Sequence, residues 1–175
     1  FFEIQILGSE GHFSAQGISI PKGERFFLWE QLRMPRELMQ RPCDLFHSPA
    51  NTTPAFRNCP VIVTVHDTIA QEMHYESRLK ELYHKRIQPP LLRRADRIIV
   101  PSQHSQRSLV ERLGVRPERV RVIYQGLSCQ FRPVEDPVTI ESVKQRFGIA
   151  GSYIYFTGGE SPWKNVARLI QAFAK

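Results

Sequence analysis

The chain has 175 residues, 41% hydrophobic and 23% charged, and carries 24 lysines and arginines against 17 acidic residues, for a net charge of +7. That is the composition of a globular chain with room for one domain, or one domain and part of another, and no apolar run approaches the roughly 18 residues of a membrane span. Cys43, Cys59 and Cys129 are odd in number and form no C-x-x-C pair, which suits reduced thiols of a cytosolic compartment better than a disulfide framework or a zinc site.

Residues 1–7, "FFEIQIL", alternate with Phe2, Ile4 and Ile6 on one side and read as a strand, followed by a long glycine-rich loop to Glu24. Having no initiator methionine, the chain reads as an internal piece of something longer. "RFFLWEQL" is apolar at helical spacing through Leu28 and Leu32 until Pro35 kinks or restarts it. "DLFHSPA" is a short strand ending in His47 and Ser48, and Val61 to Val65 is an apolar, β-branched strand that opens onto His66 and Asp67. Residues 76–95 form a basic helical segment with Leu79, Leu82, Ile87 and Leu91 on a rough stripe, which Pro89 and Pro90 must bend or break.

"RIIVPS" is the next strand, and the helix after it has a serine N-cap and Gly114 as its C′ residue. "ERVRVIY" is a further strand. Strand and helix thus alternate as in βαβ units, which predicts an α/β fold with a mostly parallel sheet covered on both faces. The proline-marked stretch from Val134 interrupts this rhythm and leads to a helix ending at Gly148. The predicted organisation is therefore a first domain over residues 1–133 and, over 134–175, a linker and the beginning of a second domain. That second domain opens with the strand "YIYFT", the turn "GGESPWKN" and the helix "VARLIQAFA".

Two places are chemically suggestive. Polar residues at the carboxyl end of a buried strand are where open α/β sheets bind ligands, so His66 and Asp67 either face a ligand or simply begin a loop in which Asp67 caps the next turn. "TGGESPWKN" outlines a phosphate site: Gly158 and Gly159 allow close backbone approach, a helix start follows, and Lys164 adds a full charge. A plain strand-to-helix turn with a solvated lysine reads equally from the same residues. The loop fits neither G-x-x-x-x-G-K-[ST] nor G-x-G-x-x-G, and no Asp-x-Asp, H-E-x-x-H or His/Cys cluster points to a metal. His74 and His84 read as surface residues, and Arg93, Arg94 and Arg97 as a solvated helix end.

Taken in order, "VIVTVHD", "RRADRIIVPSQHSQRSLVERLGV", "ERVRVIYQGLSCQFRP" and "YIYFTGGESPWKNVARLIQAFA" resemble the family-4 retaining glycosyltransferases of the GT-B fold, from about Asp44 to the end. The resemblance implies two Rossmann-like domains facing each other across a cleft. The first, lacking its opening strand here, would hold the acceptor, and the second, truncated here, a nucleotide-sugar donor. It places His66 beside the donor sugar, Lys164 on the donor pyrophosphate and Gly158 and Gly159 in the turn beside that phosphate. This sequence departs from the pattern at three places. Gly159 and Trp163 stand where many relatives carry an arginine before the lysine, and Gln125 replaces the asparagine of the usual "NG". The paired glutamates of the donor domain would fall beyond Lys175.

The expectation that follows is a hexosyltransferase-like enzyme that moves a sugar to a glycan or lipid-linked acceptor with retention, in cell-surface polysaccharide synthesis. It would need no metal or cofactor, would bind no nucleic acid, and would be cytoplasmic, with weak peripheral association at the anionic inner face of a membrane. The 175 residues alone would be inactive. The rival readings are a non-catalytic basic Rossmann-like binding module and a GT-B enzyme of another family.

Overall fold

The computed structural model describes residues 25–49, 51–75, 77–159 and 161–174; the predicted strand over 1–7 and the loop behind it lie outside the described residues. The chain divides into two units, Phe1–Gly126 and Leu127–Lys175, ahead of the boundary expected at 133.

Helix formation in the first unit is shaped by its prolines. A proline lacks an N–H and its ring crowds the carbonyl four residues back, so a helix must either break there or widen. Both helical runs widen. α1 (Arg25–Leu28) continues through a π turn at Trp29–Arg33 into α2 (Met34–Gln40), with the Met34 N–H reaching back five residues to the Trp29 carbonyl just before Pro35. The second run comes after β1 (Phe46–Ser48), β2 (Val61–Thr64) and the single turn α3 (Ile69–Glu72). There α4 (Arg78–Leu82) passes through a π turn at Tyr83–Ile87 into α5 (Gln88–Arg94), and Pro89 and Pro90 sit in the first turn of α5. The prolines therefore do not end the helix; the extra residue in each π turn absorbs them.

The buried face is not the one expected from a constant helical period: Leu28, Leu32, Leu79, Leu82 and Ile87 are exposed, and of the expected residues only Leu91 is buried, alongside Trp29, Met34, Leu38, Tyr83 and Leu92. His84 is half-buried rather than a surface residue, stacked on Tyr75 and edge-on to Phe27. Arg93 likewise is not simply solvated: its Nη1 donates to the Leu113 carbonyl at 3.0 Å, at the end of the next long helix, where a cation meets the negative end of the dipole.

The remaining elements are β3 (Arg97–Val100), α6 (Gln103–Leu113), a 3₁₀ turn at Pro117–Arg119 and β4 (Val120–Val122). The four strands form one all-parallel sheet in the order β1-β2-β3-β4, with Phe46 opposite Val61, Val63 opposite Ile98 and Ile98 opposite Val120. Because side chains alternate along a strand, this register stacks Val61, Val63, Ile98, Val100 and Val120 on one face, where they pack with Leu92 of α5 and with Leu109 and Leu113 of α6. Crossovers of one hand that step the same way along a sheet put their helices on one face, and α5 and α6 share one face here. The opposite face carries Ile62, Thr64 and Ile99, all half-buried, and exposed Arg121. Among the described residues the sheet is thus closed on one face, not on both as the alternation of elements predicts.

α6 is bounded as its sequence requires. Ser102 Oγ accepts from the Ser105 N–H at 3.1 Å, and Gly114, at φ 63°, lets the Val115 N–H return to the Leu109 carbonyl at 3.1 Å.

In the second unit α7 (Pro137–Arg146) is capped by Asp136, whose carboxylate accepts from the Thr139 N–H at 3.0 Å. The hydroxyl and N–H of Thr139, with the Val138 N–H, hold the Asp136 carboxyl below its ordinary range. A 3₁₀ turn at Pro162–Lys164 precedes α8 (Val166–Phe173). The expected strand over Tyr153–Thr157 is not formed: among the described residues no other segment of the unit pairs with it, and a ladder needs a neighbour. None of the unit's described residues is buried.

Candidate functional site

β1, β2 and β3 all deliver their carboxyl ends to one edge of the sheet, and His66 lies there, two residues past β2, with its side chain exposed. Three hydrogen bonds, two from the β1–β2 loop and one from α6, pin it. Its N–H donates to Asn51 Oδ1 at 2.7 Å, its carbonyl accepts from Ser105 Oγ of α6 at 3.1 Å, and its ring Nε2 lies 3.2 Å from the Pro49 carbonyl. A carbonyl can only accept, so Nε2 carries the hydrogen and, in the neutral ring, Nδ1 keeps an open lone pair. The backbone and one ring nitrogen are fixed while the other nitrogen is available.

Asp67 has the structural role. Its Oδ1 accepts from the Ile69 N–H at 3.0 Å, closing the turn into α3. Beside the pair, His47 Nε2 and Thr64 Oγ1 lie 2.9 Å apart, joining β1 to β2 at the same edge.

Asn51 is held in its turn from below. It takes the left-handed conformation at φ 63°, which asparagine tolerates better than most residues. Its N–H donates to the Thr64 carbonyl at 3.0 Å, and its carbonyl accepts from Gln88 Nε2 at 2.8 Å. Buried Gln88 also accepts from Gln71 Nε2 at 2.7 Å, and its Oε1 lies 2.9 Å from His84 Nδ1. The next residue, Thr52, donates to Glu30 at 3.1 Å and lies 2.5 Å from the Tyr83 hydroxyl, which itself bonds Glu30. Burial pushes the Glu30 carboxyl up against the opposing pull of these hydrogen bonds, and burial beside Glu30 pushes the Tyr83 hydroxyl up as well.

In the second unit, Gly158 and Lys164 come together. A Cβ at Gly158, where φ is 157°, would meet the Phe156 ring at 3.0 Å and Lys164 Cδ at 3.6 Å, so the bare backbone lets the lysine lie across the turn. Gly159 faces open space. Lys164 is exposed at the end of the 3₁₀ turn, and the N-cap Asn165 makes no side-chain bond to the first-turn amides of α8. A flexible cation and uncapped amides at one helix start suit an anion. No group of three or more His, Cys, Asp or Glu among the described residues is placed to hold a metal ion.

The structure therefore places each candidate residue within its own unit: His66 in the first, and Gly158, Gly159 and Lys164 in the second. Sequence reading missed Asn51, Ser105 and the Glu30–Tyr83–Thr52 cluster. The available signals were an asparagine just past a strand and a single acid inside the otherwise apolar run "FFLWEQL".

Residues 9–131 match the family model described as Glycosyltransferase Family 4. No curated protein matches the chain.

Proposed function

The chain belongs to glycosyltransferase family 4, and from that premise we propose that it serves the retaining transfer of a sugar from a nucleotide-sugar donor to a glycan or lipid-linked acceptor, in cell-surface polysaccharide synthesis. The observation that carries the assignment of roles is the exposed, triply pinned His66 at the carboxyl edge of the parallel sheet. Its open Nδ1 suits a sugar hydroxyl, and the fixed ring can support the positive charge that grows at the anomeric carbon as the leaving group departs. Lys164 and the amides at the start of α8 suit the diphosphate that carries the opposite charge away. In this reading the departing phosphate accepts the acceptor's proton, so no second protein base is assigned beside His66, and no metal or cofactor takes part.

Two domains facing across a cleft are part of the proposal, as are a cytoplasmic location and peripheral contact with an anionic membrane. No helix among the described residues is long and apolar enough to cross a membrane. The unit from Leu127 buries no described side chain, so residues 1–175 by themselves should bind donor too weakly to turn over; a single charge-assisted phosphate contact contributes only about 1.5–3 kcal/mol. The test is made in the two-domain enzyme. His66→Ala should lower turnover roughly a hundredfold or more, the scale for losing one transition-state contact, while Lys164→Ala should raise the KM for the nucleotide sugar. Unchanged turnover of His66→Ala removes the histidine from the mechanism.

A further inference from the structure

We propose that Cys43 and Cys59 form a reversible dithiol–disulfide site that clamps the segment carrying β1 and the supports of His66. Both cysteines are free, and their Sγ atoms lie 3.4 Å apart, at contact distance. The fold brings them together: Phe46 pairs with Val61 at the start of the β1–β2 ladder, and the Phe46 N–H donates to the Pro60 carbonyl at 2.9 Å, so the residues just ahead of the two strands run side by side. Side-chain rotation has to close the gap only to the ~2.05 Å of a disulfide.

The surroundings divide the two thiols by role. Cys43 is half-buried and Cys59 buried. Burial and the neighbouring Cys43 push the Cys59 thiol up to about 11, which makes it the slower, resolving partner. Cys59 also lines an open cavity of about 440 Å³ together with Arg57, Arg94 and Asp96. Arg57 is ion-paired with Asp96 at 3.5 Å, which leaves exposed Arg94 to suit an oxidant that carries carboxylates, and we take that oxidant to be a small anionic peptide disulfide. The thiolate of Cys43 attacks one sulfur of this disulfide, whose S–S bond breaks and releases one thiolate. The Cys59 thiolate then attacks Cys43 Sγ in the mixed disulfide and expels the second. Two protein thiols are oxidised to one disulfide, one small disulfide is reduced to two thiols, and the two protons pass through solvent to the released thiols.

The bond would close a loop between residues 16 apart that contains His47, Pro49, Asn51 and Thr52. Oxidation thereby stiffens the turn beneath His66, independently of which sugar the enzyme moves.

The test uses the 175-residue chain and oxidised glutathione, with intact mass and peptide mapping as readouts. The expected result is loss of two hydrogens with the Cys43 and Cys59 peptides cross-linked, while exposed Cys129 carries only a reversible glutathione adduct. Tm should rise by roughly 5–10 °C on oxidation and return with dithiothreitol. In Cys43→Ser the rise should vanish and Cys59 should stay unmodified. Stable glutathione adducts on Cys43 with no cross-link to Cys59, or a cross-link that includes Cys129 instead, would overturn the proposal.

Discussion

Replacing Asn51 with alanine tests how His66 is positioned. Two quantities are lost together. The 2.7 Å bond from the His66 N–H to Asn51 Oδ1 goes, at a net cost of about 1 kcal/mol. An alanine must also hold φ 63°, the left-handed region that costs a residue with a Cβ about 1–2 kcal/mol. Asn51→Ala should therefore destabilise the first unit by about 2–3 kcal/mol, the sum of the two. Asn51→Gly keeps the conformation but loses the bond and adds freedom to the unfolded chain, about 1.5–2 kcal/mol in all. Asn51→Asp keeps both an acceptor and tolerance of the left-handed turn and should lie closest to wild type. Urea unfolding of the three variants at constant m gives the ordering directly. An Asn51→Ala variant within about 0.5 kcal/mol of wild type, the range of an ordinary surface change, would show that the turn is held by other contacts and that Asn51 does not position the histidine.

Glu30 predicts a pH signature. Its folded carboxyl titrates above the ordinary 4.5, so the folded state holds the proton more tightly, and the stability this contributes is present below pH 4.5 and lost as pH rises through the raised folded value. Glu30→Gln should flatten that decline in denaturation midpoints measured across pH, and parallel slopes for the two proteins would refute the assignment. Gly114→Ala should cost about 1–2 kcal/mol from backbone conformation alone, because its Cβ would meet nothing nearer than Arg93 Cδ at 3.9 Å; thermal melts check it. Anionic vesicles should float more of the chain than neutral ones, because each basic residue of the exposed set Arg78, Arg86 and Arg94 adds about 1 kcal/mol at a negatively charged surface. Equal flotation on both would remove the membrane from the reading.

The parallel sheet was legible because β2, β3 and β4 are β-branched runs bounded by Pro60, Asp96 and Arg119, and α6 because Ser102 and Gly114 mark its two ends. These signals are local. The buried faces of the two helical runs were misread: Leu28, Leu32, Leu79 and Leu82 keep helical spacing yet stand exposed, because which face is buried is set by partners elsewhere in the chain, and past Tyr83 the π turn adds a residue that a constant period does not contain. "YIYFT" has the composition of a strand, yet pairing is a property of the neighbour and not of the segment. His66 was visible at the end of its strand. Its supports were not: Asn51 lies 15 residues away and Tyr83 lies 53 from Glu30, and nothing in a local pattern reports such distances.

The π turns have a consequence for how this chain tolerates changes in length. Glu30 and Tyr83 both sit within π turns, and their bond ties the two helical runs to Thr52 beneath the histidine turn. Deleting one residue from Tyr83–Ile87 would restore an ordinary α-helix, which in an isolated helix is the relaxed form. A π turn advances each residue by less than the ~100° of an α-helix, so the flanking turns would keep roughly their phase. What the deletion changes is the local spacing between Tyr83, which bonds Glu30, and Gln88, which holds the Asn51 carbonyl. A change made wholly within one helix would therefore reach the histidine turn through Asn51.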